Sequence, residues 1–386
     1  MTDAQPNRRP PVRHEDPAVA AAIEGLLALT PRGTRNRDLL RELLTATMCL
    51  PEAGFDRGEL KIMTRAMQDF RRSFAAFDAH KERKKVSIFG SARTPGGSAL
   101  YEHCREFSRR LVERGYMVIT GAGPGIMQAG NEGATREHSF GVSIDLPFEA
   151  EANPVIHGDP KHIHFKYFFT RKLSFVKESD AIVLFPGGYG TLDEGFESLT
   201  LIQTGKCDPT PVILMELPGG SYWPAWERYV RENLLGRGMI SGHDRNLYRF
   251  TSDIDKAIDE IELFYRCYHS LRYVGDLTIL RLKHAPTPAL LERLNTHYRD
   301  LLAVGDYEVL DEPHRAERGE PDSIKGLHRI AFRFVQRRYG RLRRLIDEIN
   351  LAYPAPTERP ALDPPTGRYG ALKLPPAESQ SAEDDE

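Results

Sequence analysis

From Lys84 onward the sequence repeats one texture, a strand-length apolar run followed by a helical pattern. The runs are VSIF (86–89), YMVIT (116–120), FGVSI (140–144), AIVLF (181–185) and PVILM (211–215). The helical patterns between them are one bearing Leu100, Cys104, Phe107 and Leu111, one from about Ile126, one around 168–178 and one from Leu192. A last helix covers about 253–268. Runs apolar at nearly every position are buried on both faces, and strands joined through helices pair in parallel. A chain of this kind is an α/β protein, a parallel sheet with helices on both faces. Ligands of such sheets sit beyond the carboxyl ends of the strands. Four glycine-rich or polar segments fall there, FGSARTPGGS, TGAGPGIMQAG, DLPFEAEANP and FPGGYGT. Their convergence marks that edge as a site.

The flanks differ. Residues 1–16 offer almost nothing to bury and read as a disordered tail. Residues 17–83 read as a helical extension, with Leu60, Met63, Met67, Phe70, Phe74 and Phe77 three or four apart in one apolar stripe suited to core or subunit packing. The parallel-sheet domain takes 84–270. A further extension, 271–350, carries a strand at 276–283 and two amphipathic helices near 287–303 and 324–350, an α+β addition. Residues 351–386 are proline-rich, then acidic, and read as a second disordered tail. Within 324–350, Arg333, Arg337, Arg341 and Arg344 are spaced for a basic helix face, either an anion-binding surface or a solvated face paired with acids.

Composition excludes several classes. The formal net charge of -2 over 386 residues gives no global field for nucleic acid or anionic membrane. The apolar runs are too short to span a bilayer, and no apolar stretch follows the basic start as in a secretory signal. Cys49, Cys104, Cys207 and Cys267 form no CxxC pair. That speaks against a zinc site or a disulfide framework and for a reduced, cytoplasmic setting.

The sharpest local signal is LFPGGYGTLDE (184–194). A buried strand ends in a proline and three glycines, and a helix expected from Leu192 follows. Glycine is needed there for positive φ or for the close approach of something to the backbone. The helix N-terminus aims its unpaired amides and positive dipole end at the loop, which makes a cradle for an anion such as phosphate. Thr191 and Glu194 have two readings. They form a T-x-x-E capping box, or Glu194 acts on the ligand beyond the phosphate. A second cluster, TGAGPGIMQAGNEGA (120–134), has Gly121, Gly123 and Gly125, but Ile126 stands where a dinucleotide fingerprint needs glycine. It indicates phosphate or ribose near the backbone without specifying NAD. The third is FFTRKLSFVKESD (168–180). Arg171 and Lys172 lie in its first turn, where the dipole disfavours cations. Either a ligand compensates them or they are a solvent-facing pair.

Taken together, these residues resemble the LOG family, the cytokinin-activating phosphoribohydrolases. FPGGYGTLDE matches its PGGxGTxxE signature, and Arg171-Lys172 matches the second half. TGAGPGIMQAGNEGA looks like its glycine-rich segment and IFGSA (88–92) like its first strand and turn, over about Val86 to Ile261. The longer wording resembles bacterial members described as nucleotide 5′-monophosphate nucleosidases. The resemblance implies a Rossmann-like sheet, a homodimer and cleavage of the N-glycosidic bond of a nucleoside 5′-monophosphate. It places catalysis on Arg171 and Glu194. Phosphate and substrate binding fall to Gly187, Gly188, Gly190 and Thr191, with Gly90, Ser91, Gly123, Gly125 and Lys172 alongside. No cofactor and no metal is implied. Some relatives carry a lysine decarboxylase label, but a pyridoxal enzyme needs a Schiff-base lysine and a partner for the ring nitrogen, which Lys172 alone does not supply.

Three weaker signals remain. His162 and His164 share a face of a possible strand but lack a third metal ligand, and could instead line the pocket mouth. Asn153 and Pro154 sit in a loop that could meet a nucleotide. Trp223 fits packing better than base stacking. Two function classes stand, a nucleosidase and a non-catalytic nucleotide or cofactor carrier on the same fold. An acid kept beside an anion site separates them, because it gives a pure binder nothing.

Overall fold

The computed structural model describes residues 16–31, 36–51, 53–145, 152–317, 320 and 322–354. Nearly all of the two expected tails lies outside these residues, as does the middle of DLPFEAEANP, 146–151.

The chain divides into two compact units between Gln68 and Asp69, not at 83/84. The first holds α1 (Pro17–Ala28), α2 (Arg37–Met48) and the first half of α3 (Arg57–Asp78). Asp16 caps α1 by accepting from the Ala18 amide, and Arg41 of α2 pairs with Glu24 of α1. Of the apolar stripe of α3, only Phe77 is packed into a core of the chain. Leu60, Met63, Met67 and Phe74 are exposed, and the buried face consists of Asp69, Ser73 and Phe77. Periodicity finds an apolar face; it does not say what covers it. A polar face is buried where partner groups satisfy it.

In the second unit β1 (Lys85–Phe89) leads through α4 (Ala99–Glu113) to β2 (Met117–Thr120), then α5 (Ile126–Ala134) and β3 (Ser139–Ile144). Next come β4 (His162–Phe165), α6 (Phe168–Glu178), β5 (Ala181–Leu184), α7 (Tyr189–Gln203) and β6 (Val212–Met215). α8 (Tyr222–Tyr229), β7 (Tyr248–Thr251) and α9 (Ile254–Phe264) complete the layer. The strands form one parallel sheet in the order β4-β3-β2-β1-β5-β6-β7. The five expected strands are present. β4 and β7 add the two edges, and β7 escaped notice because only Tyr248 of YRFT is buried. One core holds Val86, Ile88, Phe107, Ile126, Ile258 and Ile261; the other holds Phe89, Ile119, Phe140, Phe175 and Trp223. Alternate residues of β1 feed the two clusters, as the pleat requires. The chain leaves β1 for β2 on one side and returns from the edge to β5 on the other. The strand order therefore reverses between β1 and β5, where a crevice opens.

The last segment builds a four-stranded antiparallel sheet in the order β10-β11-β9-β8. Its elements are β8 (Tyr268–Val274), β9 (Leu277–Leu282), α10 (Pro288–His297), β10 (Leu302–Leu310), β11 (His328–Phe334) and α11 (Tyr339–Leu351). Two expectations are corrected here. Residues 324–350 are a strand and a helix, so the four arginines share no helix face. Arg333 pairs with Asp276 and Arg341 with Asp300. Arginines every three or four residues imitated a helical period across a turn. The expected boundary at 270/271 falls inside β8. α11 also ties back to the parallel-sheet region. The Asn350 side chain accepts from the Cys267 and Tyr268 amides and donates to the Phe264 carbonyl.

Candidate active site

The turns after β1 and β5 lie side by side at the reversal point, where the Ser91 amide donates to the Pro186 carbonyl at 3.1 Å. They border a cavity of about 740 Å³. Gly90, Ser91, Arg171, Gly187, Gly188, Gly190, Thr191 and Glu194 all line it. Segments nearly a hundred residues apart are thus brought to one wall by the parallel pairing of β1 with β5.

α7 begins at Tyr189, three residues before the expected start, with Gly188 as an N-cap that offers no side chain. Thr191 is therefore the third helical residue, and the capping-box reading is corrected. The amides of Thr191 and Leu192 both reach the Gly188 carbonyl. Early first-turn amides of a helix have no partner within it and favour an anion. The glycines of this turn differ in their reasons. A Cβ on Gly187 would stand 2.1 Å from Thr191 Oγ1 and 3.0 Å from the Ser91 amide nitrogen, so packing demands glycine there. On Gly188 or Gly190 a Cβ would meet nothing within 4 Å. Neither has positive φ. Neither packing nor backbone conformation calls for glycine at those two positions. From the other side the Tyr222 hydroxyl donates to the Gly187 carbonyl at 2.6 Å.

Glu194, one turn into α7, is 7% exposed. Burial raises its carboxyl to about 7 against the pull of Lys172 and Arg171, and the charges of Glu197 and Asp193 add to the rise. Lys172 does not line the cavity. Its ammonium lies 2.6 Å from Glu197, 2.8 Å from Asp193 and 3.8 Å from Glu194. Burial lowers its pKa, but these carboxylates outweigh that and hold it above the ordinary lysine value. Arg171 does line the cavity and donates through Nε to the Val142 carbonyl at 2.9 Å. A cation, a buried acid with a raised pKa and the start of a helix thus share one pocket.

Gly123 and Gly125 are off the cavity wall. Gly125 has φ 66°, and a Cβ there would stand 2.3 Å from the Ser91 carbonyl oxygen, which accepts from the Ile126 amide. The glycine lets α5 butt against the turn after β1. Asn153, considered above as a nucleotide contact, is buried. It donates to the carbonyls of Ala122 and Gly123 and to Asn131. It holds a bend in which Ala122 itself has positive φ. Trp223 is buried and donates to the Met215 carbonyl. His162 and His164 share Ser143 Oγ, with ring centroids 4.1 Å apart, and neither lines the cavity. Burial, with the neighbouring histidines, depresses His162 to about 4. Among the described residues no three metal-ligating side chains gather. The lining residues missed from sequence are Phe89, Ala92, Arg93, Met127, Phe168, Tyr189 and Leu192, while Asp193 adds its charge to the same lining. Their signal was position, at the end of β1 and the turn after it and at the starts of α5, α6 and α7.

A family model described as "Possible lysine decarboxylase" matches residues 126–261. Cytokinin riboside 5'-monophosphate phosphoribohydrolase LOG4 of Arabidopsis thaliana is 24% identical over 192 residues, 48% of this chain and 86% of the relative. Its counterpart LOG1 is 30% identical over 184 residues, 46% of this chain and 83% of that one. Among solved structures, a molybdenum cofactor binding protein from Rippkaea orientalis matches 47% of this chain and 96% of its own. Its identity is 18% and its TM-score 0.32, too low for an argument. A 30% identical relative is thus spanned over 83% of its length. The chain belongs to the LOG family of phosphoribohydrolases.

Proposed function

We propose that the protein hydrolyses the N-glycosidic bond of nucleoside 5′-monophosphates, giving free base and ribose 5-phosphate. The observation that carries this reading is Glu194, buried in the lining of the same cavity that the glycine turn and the start of α7 border. The start of α7 and the bare backbone of Gly188 and Gly190 take the 5′-phosphate and fix the sugar. Apolar Phe89, Met127 and Phe168 offer the base a surface. The C1′–N bond breaks with its electron pair leaving on the base, and C1′ gains oxocarbenium character, as in glycoside hydrolysis. Ionised Glu194 stabilises that charge and takes a proton from the water whose oxygen bonds to C1′. Arg171 stays protonated; it orients the nucleotide and offsets charge on the departing base, which takes its proton from solvent. Lys172 keeps three carboxylates close without entering the pocket. A raised lysine pKa is the wrong direction for Schiff-base chemistry, which supports hydrolysis over the decarboxylation in the family model's description.

Incubation with AMP, GMP, CMP, UMP and a cytokinin ribotide, followed by chromatography for free base, tests activity and reads base preference together. Glu194→Gln should lower hydrolysis about 100-fold or more while the variant still melts cooperatively. A wild-type rate in that variant removes Glu194 from the chemistry. A homo-oligomer belongs to the same proposal. The exposed α3 residues Leu60, Met63, Met67 and Phe74 keep the three-four spacing of a helix–helix seam. A single-chain mass in light scattering would remove that part.

A further inference from the structure

We propose that Asp69, on α3, is a positioning residue for this reaction, holding the first turn of α6 so that Arg171 meets the substrate; the inference rests on the hydrolase reading above. Asp69 is completely buried. A carboxylate in that position is sustained only by donors. Oδ2 accepts from the Lys166 amide at 3.0 Å and from Thr170 Oγ1 at 2.9 Å. Oδ1 accepts from Arg72 at 2.8 Å. The first two donors bracket the N-terminus of α6, whose own N-cap, Tyr167, supplies no side-chain cap. Asp69 thus fastens the segment that enters α6 and the Thr170 side chain of its first turn from another helix. One turn further along both helices, Ser73 Oγ donates to Ser174 Oγ at 3.0 Å, and Ser174 Oγ donates to the Thr170 carbonyl at 3.0 Å. α3 and α6 are tied at two levels, and the residue after Thr170 is Arg171.

The charges agree. The positive end of the α6 dipole carries Lys166, Arg171 and Lys172 within seven residues of sequence, an arrangement the dipole disfavours. A buried negative charge at that end offsets it before any ligand arrives. Asp69 is also the first residue of the unit that contains the site. The second half of α3 thereby supplies a fixed anchor to the helix that carries the site's cation. Removing the anchor frees the first turn of α6, and small misplacements of an orienting group are costly in rate.

The test uses full-length Asp69→Ala, Asp69→Asn and Thr170→Val, with AMP and GMP as substrates and hydrogen exchange read on peptides spanning 166–174. Asp69→Ala is expected to lower kcat about 10- to 100-fold, with KM changed less than about threefold and faster exchange at the start of α6. Asp69→Asn keeps an oxygen for the Lys166 amide and Thr170, so it should recover most of the loss. Thr170→Val, which keeps the shape and removes the hydroxyl's bonds to Asp69 and to the Tyr167 carbonyl, should fall between and carries the test if Asp69→Ala does not fold. Wild-type kcat in a folded Asp69→Ala, or unchanged exchange at α6, overturns the inference alone. A wild-type protein that releases no base from any nucleotide overturns the hydrolase reading beneath it.

Discussion

At the scale of single residues, the protonation of Glu194 sets what the site can do. Its carboxyl is raised to about 7, chiefly by burial. The proposed role needs the ionised form. kcat/KM should therefore climb about tenfold per pH unit below 7 and level off above it. A profile that instead falls above pH 7 would make Glu194 a proton donor. The same shift has a cost in stability. Between an unfolded value near 4.5 and the folded value, the native state holds a proton that the unfolded chain has lost. Stability therefore falls as pH rises through that window, by up to about 3 kcal/mol. Glu194→Gln should melt higher than wild type at pH 8, with the difference vanishing near pH 4. That Arg171 and Glu194 line one cavity was legible from a cation in the first turn of α6, an acid just past a glycine turn and the family resemblance. The engagement of Lys172 was not, since its three carboxylates lie some twenty residues away on α7 and meet it only in space.

At the scale of elements, the start of α7 separates two kinds of glycine. Gly190→Ala should leave the melting temperature unchanged or raise stability by up to about 1 kcal/mol, because the site is open and alanine favours helix. Nucleotide affinity should nevertheless fall about tenfold if the bare backbone serves a phosphate, a loss that titration calorimetry with AMP would register. Gly125→Ala should do the reverse damage, costing about 1–3 kcal/mol through positive φ and collision with the Ser91 carbonyl. Paired thermal melts and AMP titrations distinguish the two. Strands buried on both faces were the most legible elements, because nothing else explains short unbroken apolar runs. The start of α7 was read three residues late because Thr191 and Glu194 imitate a cap. β11 was hidden because its arginines joined those of α11 in one spurious period.

At the scale of the whole molecule, the parallel sheet could be inferred from alternation alone, whereas the fastening of the C-terminal sheet could not. That fastening depends on charged and amide groups far apart in sequence. Arg343 is buried against Asp347 and Glu260, and Arg249 bonds Asp347 at 2.7 Å. Arg343→Ala should destabilise the protein by about 3 kcal/mol by stranding buried carboxylates, a loss that urea denaturation would read. The bonds from Asn350 to residues 264–268 carry a practical lesson for anyone trimming this chain. A cut made where the alternating pattern stops would slice β8 and leave backbone groups near the end of α9 without their amide partner. The family model's match stops still earlier, at 261, and a core cut at either place would be an incomplete object.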